Sequence, residues 1–164
     1  MPIPAFTADG ILPIGIYDCT LNEIKEEFSV KIKSIERDQL WNNLETFIGE
    51  VRNLGFVSVV YIDGGFTTNK PVTGDVDVAI VLPEKNAMRA NLVLAEQIKN
   101  FLNNFDLFHA DAKTRLKVDV YPNIPPVDPW ENDFSKLFQY IGPKDAIRLG
   151  LKPKDKKGIL RVAL

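Results

Sequence analysis

Residues 61–82 read YIDGGFTTNKPVTGDVDVAIVL, and they put two carboxylates, Asp75 and Asp77, at the start of an otherwise apolar run. Successive side chains on a strand point to opposite faces, so Asp75 and Asp77 share one face while Val76 and Val78 pack on the other. Two unpaired carboxylates beside a core cost free energy through repulsion and desolvation, and a cation between them removes that cost. Residues two apart on a strand are roughly 6.5 Å apart, a gap that two carboxylate side chains can close on one divalent ion. The loop before them fits an anionic ligand. Gly64 and Gly65 let backbone N–H groups approach phosphate oxygens, and Thr67, Thr68 and Lys70 offer hydroxyl and ammonium donors. The Gly-x-x-x-x-Gly-Lys-Ser/Thr spacing of a P-loop is absent, which removes the P-loop NTPases from consideration.

On either side, 56–62 (FVSVVYI) and 76–82 read as strands from their β-branched and aromatic content. Met88, Leu92, Ala95, Ile98, Phe101, Leu102 and Phe105 form one helical stripe, and 115–121 (RLKVDVY) alternates as a half-buried strand does. Three strands with a helix between the last two predict an α/β core. Asp119 alternates with Val118 and Val120, so if its strand neighbours that of Asp75, about 4.8 Å away, its carboxylate joins the other two. Three oxygen donors suit Mg²⁺, which keeps water and substrate phosphates as its remaining ligands.

Further out, 9–19 (DGILPIGIYDC) reads as an extended arm with turns and no regular element, and TLNE at 20–23 as a capping box opening a short helix to about Val30. A longer helix starts at Ser34, carries Leu40, Trp41, Leu44, Phe47, Ile48 and Val51 on one stripe, and stops at Gly55. Pro122, Pro125, Pro126 and Pro129 predict an irregular crossing, 133–141 (DFSKLFQYI) a short helix, and the closing KKGILRVAL an edge strand. The expectation is one domain over 1–164, with its core at about 56–121, an N-terminal arm and helices in 1–55, and an irregular segment plus edge strand in 122–164.

The formal charge of -2 offers no global attraction to a polyanion, so an RNA or nucleotide contact needs a local patch. Seven cations between Lys144 and Arg161 are either such a patch or a solvated loop. The single histidine, His109, excludes metal sites with two or three histidines and reads as a surface or capping residue; Asp63 reads as a turn or strand-end residue. With Cys19 alone there is no internal disulfide or zinc cage, and neither a signal peptide nor about 18 consecutive apolar residues is found, so the expected setting is cytoplasmic, away from membranes.

The stretch GGFTTNKPVTGDVD resembles the signature of the DNA-polymerase-beta-like nucleotidyltransferase superfamily: a Gly-Ser or Gly-Gly pair, a short variable loop, Asp-x-Asp, and a third acid on a later strand. The arm DGILPIGIYDCTLNEI with the later LFQ and KKGIL looks like a group of small bacterial and phage nucleotidyltransferase-like proteins. The resemblance implies a palm of mixed β-sheet flanked by helices (α+β). It makes Asp75 and Asp77 metal ligands, Asp119 the third ligand or the base, and Gly64 and Gly65 the seat of the triphosphate. The implied activity is Mg²⁺-dependent transfer of a nucleoside monophosphate from an NTP, ATP first, with two ions bound, onto a protein or RNA hydroxyl. The partner would then be a cognate toxin of a toxin–antitoxin pair or an RNA. Gly65 stands where many active members have Ser, which removes a hydroxyl contact to phosphate unless Thr67 or Thr68 supplies one. The alternative is a catalytically silent binding protein of the same fold, an antitoxin or phage-defence component acting by contact.

Overall fold

The computed structural model describes residues 3–125, 133–152 and 154–164. Its strands are β1 (Ile16–Asp18), β2 (Val59–Asp63), β3 (Val76–Val81), β4 (Val118–Asn123) and β5 (Ile159–Ala163), joined in one sheet of order β1-β5-β2-β3-β4. The sheet is mixed: β2 runs antiparallel to β3 and β5, while β3/β4 and β1/β5 are parallel pairs. With the helices that follow, this is the α+β class expected.

One face of the sheet is covered by α1 (Leu21–Lys25), the π-helical turn Glu26–Val30 and α2 (Ile35–Asn53). Thr20 and Glu23 form the expected reciprocal capping box, and the Ser34 side chain caps α2 by accepting from the Arg37 amide. Leu44, Phe47, Ile48 and Val51 then pack against Val60, Ile62, Val78 and Ile80, all fully buried. Gly55, at φ +76°, ends that helix as its position in the sequence implied.

Three expectations are corrected. The stripe from Met88 to Phe105 is three helices, α3 (Lys85–Ala90), α4 (Leu92–Asn103) and α5 (Phe105–Asp111), because Asn91 leaves helical geometry and accepts from the Leu94 amide as an N-cap. Leu92 is thereby turned outward and stands 80% exposed. The second correction concerns 9–19, which is not wholly irregular: β1 lies within it and forms one edge of the sheet. The third follows from it, since the closing strand β5 sits inside the sheet, between β1 and β2, with Ile159 and Leu160 fully buried on opposite faces. Pro122 lies in β4, the other edge strand, where a missing N–H is tolerated. Pro126 and Pro129 lie outside the described residues.

The other face of the sheet carries Tyr61, Ala79 and Tyr121, and is packed by Phe134 and Phe138 from α6 (Phe134–Leu137) and its end. Beyond it α7 (Pro143–Leu149) begins with Pro143 and stops at Gly150 (φ +68°), a helix inside the stretch that its charges alone made look like a loop. Because β5 is an interior strand, Leu160→Ala is expected to cost about 2–5 kcal/mol in denaturant unfolding; a loss below about 1 kcal/mol would place the strand at an edge.

Candidate functional site

The pairing of β2, β3 and β4 decides where the carboxylates go. Asp63 is opposite Asp77, and Asp77 is opposite Asp119, so three acids stand side by side on the face that carries Tyr61, Ala79 and Tyr121. Asp75, two residues before Asp77, belongs to the same face. The predicted Asp75, Asp77 and Asp119 are thus brought together, and Asp63 joins them as a fourth acid; it is the last residue of β2, within the expectation of a turn or strand-end residue, and is buried.

Their compensation comes from both flanks. The buried Lys157, expected in a solvated or phosphate-facing tail, pairs with Asp63 and also donates to the Thr67 hydroxyl at 3.2 Å. From the π-helical turn Ala112–Leu116 after α5, Lys113 Nζ reaches Asp75 Oδ2 at 2.5 Å and Asp119 Oδ2 at 2.6 Å. One turn earlier, His109 Nε2 lies 3.1 Å from Asp119 Oδ1, so it is not simply a surface or capping residue. Asp77 has no such partner among the described residues. Burial first, then the charges of Asp63, Asp75 and Asp119, push its pKa up to about 7, against the opposing ammonium of Lys113. Burial also pushes Asp63 up, with the Lys157 ammonium pulling it back. As the side chains stand, no group of three or more acidic, imidazole or thiol ligands is set to hold a metal ion among the described residues; the Lys113 ammonium stands between two of the three acids.

The loop meets these acids closely. Gly64 has φ +83°, and a Cβ there would come within 2.0 Å of Asp77 Oδ2, so both the backbone and the approach require glycine. A Cβ on Gly65 would lie 2.6 Å from Thr73 Oγ1. The Thr73 hydroxyl therefore fills the space into which a Ser at position 65 would project. Thr67 and Thr68, expected to face phosphate, are instead fully buried, and their hydroxyls donate to the Gly64 and Gly65 carbonyls at 3.2 and 2.7 Å. They hold the loop's shape; Thr73 lines the cleft, with its own hydroxyl donating to the Asp75 carbonyl at 3.3 Å. Beneath the loop, the fully buried Arg37 donates to the carbonyls of Gly65, Phe66, Thr68 and Lys70, with its guanidinium 5.2 Å from the Phe66 ring centroid. Burial lowers its pKa to about 10.

Loop and acids line a cleft of about 510 Å³. It is lined by Gly64, Gly65 and Thr73 of the loop, by three of the acids, Asp63, Asp75 and Asp77, by Lys70 and Lys144, which bring positive charge, and by Leu137, Phe138 and Tyr140. Lys70 is loosely held, with Nζ 3.9 Å from Asp145 Oδ1. The sequence offered no signal for Arg37, Lys113 or Lys157 as partners: Arg37 and Lys157 act on residues roughly 30 to 90 positions away, and Lys113 joins Asp75, 38 positions back, to Asp119, 6 positions on.

Fold and site together define a mixed α/β protein with a cleft floored by acids and edged by lysines. The chain belongs to a family of unknown function (DUF6932), matched over residues 4–163. No curated protein and no solved structure matches it. Among the described residues, no helix is long and apolar enough to cross a membrane.

A carboxylate whose folded pKa is raised stabilises the fold below its ordinary pKa, and that stability is lost as pH rises through the folded value, here about 7. Without divalent ions, the melting temperature is expected to fall between pH 5 and pH 8, by the equivalent of on the order of 3 kcal/mol. Asp77→Asn should flatten this slope and melt higher than the native chain at pH 8; an unchanged slope in the variant would assign the effect elsewhere.

Proposed function

We propose that this is a divalent-ion-dependent nucleotidyltransferase, with the sheet as its palm, that moves a nucleoside monophosphate from an NTP to a protein or RNA hydroxyl. The observation that carries the reading is the row of acids in strand register beside a Gly-Gly turn, of which Asp63 and Asp77, together with Asp75, line a cleft that Lys70 and Lys144 also line. The donor set fits the metal: Asp75, Asp77 and Asp119 are hard oxygen ligands, and a cation, the Lys113 ammonium, already bridges two of them. Bound there, Mg²⁺ would lower the pKa of the acceptor hydroxyl and offset charge on the departing pyrophosphate.

The chain's own groups supply the rest. Backbone N–H groups at Gly64 and Gly65, with Lys70 and Lys144, bind the triphosphate; the Thr73 hydroxyl, now donating to the Asp75 carbonyl, would have to turn from it to do what Ser does in many members of the superfamily this loop resembles. The acceptor oxygen bonds to the α-phosphorus as the bond to the bridging oxygen breaks, and pyrophosphate leaves; Asp119 would take the acceptor proton, or, where it serves instead to hold the ion, that proton would pass to solvent. A cognate toxin encoded beside the protein is the first acceptor to try.

A second reading rests on Lys113. Its two short ion pairs neutralise Asp75 and Asp119 without any metal, as a catalytically silent binding protein of the same fold would have it. Two measurements decide. With α-labelled ATP, Mg²⁺ and the neighbouring gene's product, the active reading expects label on the acceptor and at least a hundredfold loss in Asp77→Asn; undiminished transfer in that variant overturns it. Lys113→Met removes the competing ammonium, so Mn²⁺ should bind about tenfold tighter by electron paramagnetic resonance. No Mn²⁺ binding by either form favours the silent protein.

A further inference from the structure

We propose that Leu137 and Tyr140 form a nucleobase-stacking subsite, so that a nucleotide lies with its phosphates on the Gly64–Gly65 turn and its base on the Tyr140 ring. The proposal rests on the nucleotide reading above and adds which end of the ligand goes where. The cleft lining is chemically mixed. Its acids and lysines hold charged or strongly polar groups, whereas Tyr140, 45% exposed, and Leu137, 44% exposed, offer it a flat ring and an aliphatic side chain. A ligand that satisfies both kinds of lining is anionic at one end and flat and apolar at the other, and at about 510 Å³ the cleft has the volume of a small-molecule site.

Exposed aromatics are common and by themselves mean little. Tyr140 differs in being held rigidly relative to the acids. It pairs with Lys156 in an isolated antiparallel bridge, the Ile141 amide donates to Asp155 and the Lys157 amide to Gln139, which makes a short ribbon. The next residue on that ribbon is Lys157, whose ammonium is paired with Asp63 at the end of the acid row. Phe138, which also lines the cleft, packs edge-on against Tyr121, two residues along β4 from Asp119, with ring centroids 5.5 Å apart. Ring and acids are thus two parts of one packed unit. The Lys156 ammonium covers one face of Tyr140 at 5.1 Å from its centroid, which leaves the opposite face for a base.

Stacking a base on an aromatic side chain is worth about 1–3 kcal/mol by alanine substitution and is tolerant of base identity. The test is calorimetric titration of the native chain, Tyr140→Ala and Tyr140→Phe with ATP and with inorganic tripolyphosphate, all in Mg²⁺. Tyr140→Ala is expected to weaken ATP about tenfold and leave tripolyphosphate within twofold, and Tyr140→Phe to keep native ATP affinity; retained tripolyphosphate binding also shows that the variant is folded. Equal losses for both ligands, no loss for ATP, or native binding of tripolyphosphate as tight as ATP would overturn the stacking subsite and leave the phosphate site standing. If the native chain binds neither ligand, the nucleotide reading itself falls and the subsite falls with it.

Discussion

The structure is organised around a row of like charges that strand pairing makes unavoidable. Once β2, β3 and β4 adopt their register, Asp63, Asp77 and Asp119 occupy adjacent positions on one face, with roughly 4.8 Å between neighbouring strands, and Asp75 lies just before them. A one-residue slip of β3 would turn Asp77 inward and bring Val76 and Val78 out to the cleft, at the cost of core packing. The hydrophobic pattern and the acid row therefore enforce each other, and the rest of the chain has to compensate the acids. Lys157 arrives from the far end of the sequence, just before the interior strand β5, and Lys113 from the turn that leads into β4.

This explains what could be read in advance and what could not. The Asp-x-Asp strand, the Gly-Gly turn, the capping box at Thr20 and the long helix from Ser34 are local signals, each decided within a few residues. Asp119 could be placed because strand alternation fixes its face, on the condition that its strand neighbours that of Asp77, as β4 does. The position of β5 could not be, since a short apolar run looks the same at an edge and in the interior, and only pairing with both β1 and β2 separates the two. Asn91 caps α4 inside an apolar stripe that reads as one helix, and Pro143 and Gly150 bound α7 inside a run of charges that reads as a loop.

Arg37 shows why the loop threonines were misassigned. A buried guanidinium is ordinarily matched by a carboxylate, but here four loop carbonyls take its donors. That arrangement pulls the carbonyls of Gly65, Phe66, Thr68 and Lys70 inward, toward α2. The Thr67 and Thr68 hydroxyls turn in with them and bond to the carbonyls of Gly64 and Gly65. Phosphate-binding character in a sequence is usually inferred from hydroxyl-bearing residues near glycines, yet which hydroxyls face the cleft depends on what grips the loop from below. Here the grip comes from a helix some 30 residues earlier, and of the three threonines only Thr73 lines the cleft.

Charge balance then limits what the cleft can accept. Four carboxylates are met by two ammonium groups, Lys157 and Lys113, with Asp77 left as the uncompensated member of the row. The two lysines are not equivalent. Lys157 is 3% exposed and packed beneath the loop, a fixed counter-charge, whereas Lys113 is 39% exposed on a π-helical turn, a geometry in which one added residue widens the helix and aims side chains off its regular face. Withdrawing Lys113 leaves three carboxylates to be satisfied together, which a divalent ion does better than any single ammonium because it accepts several oxygen ligands at once. The displaced ammonium, still tethered beside the site, would then be free to meet the negative charge of an incoming phosphate. On the proposed reading, a metal that arrives with an anionic ligand brings opposite charges together, so the acid row is not left uncompensated when the ammonium withdraws from it.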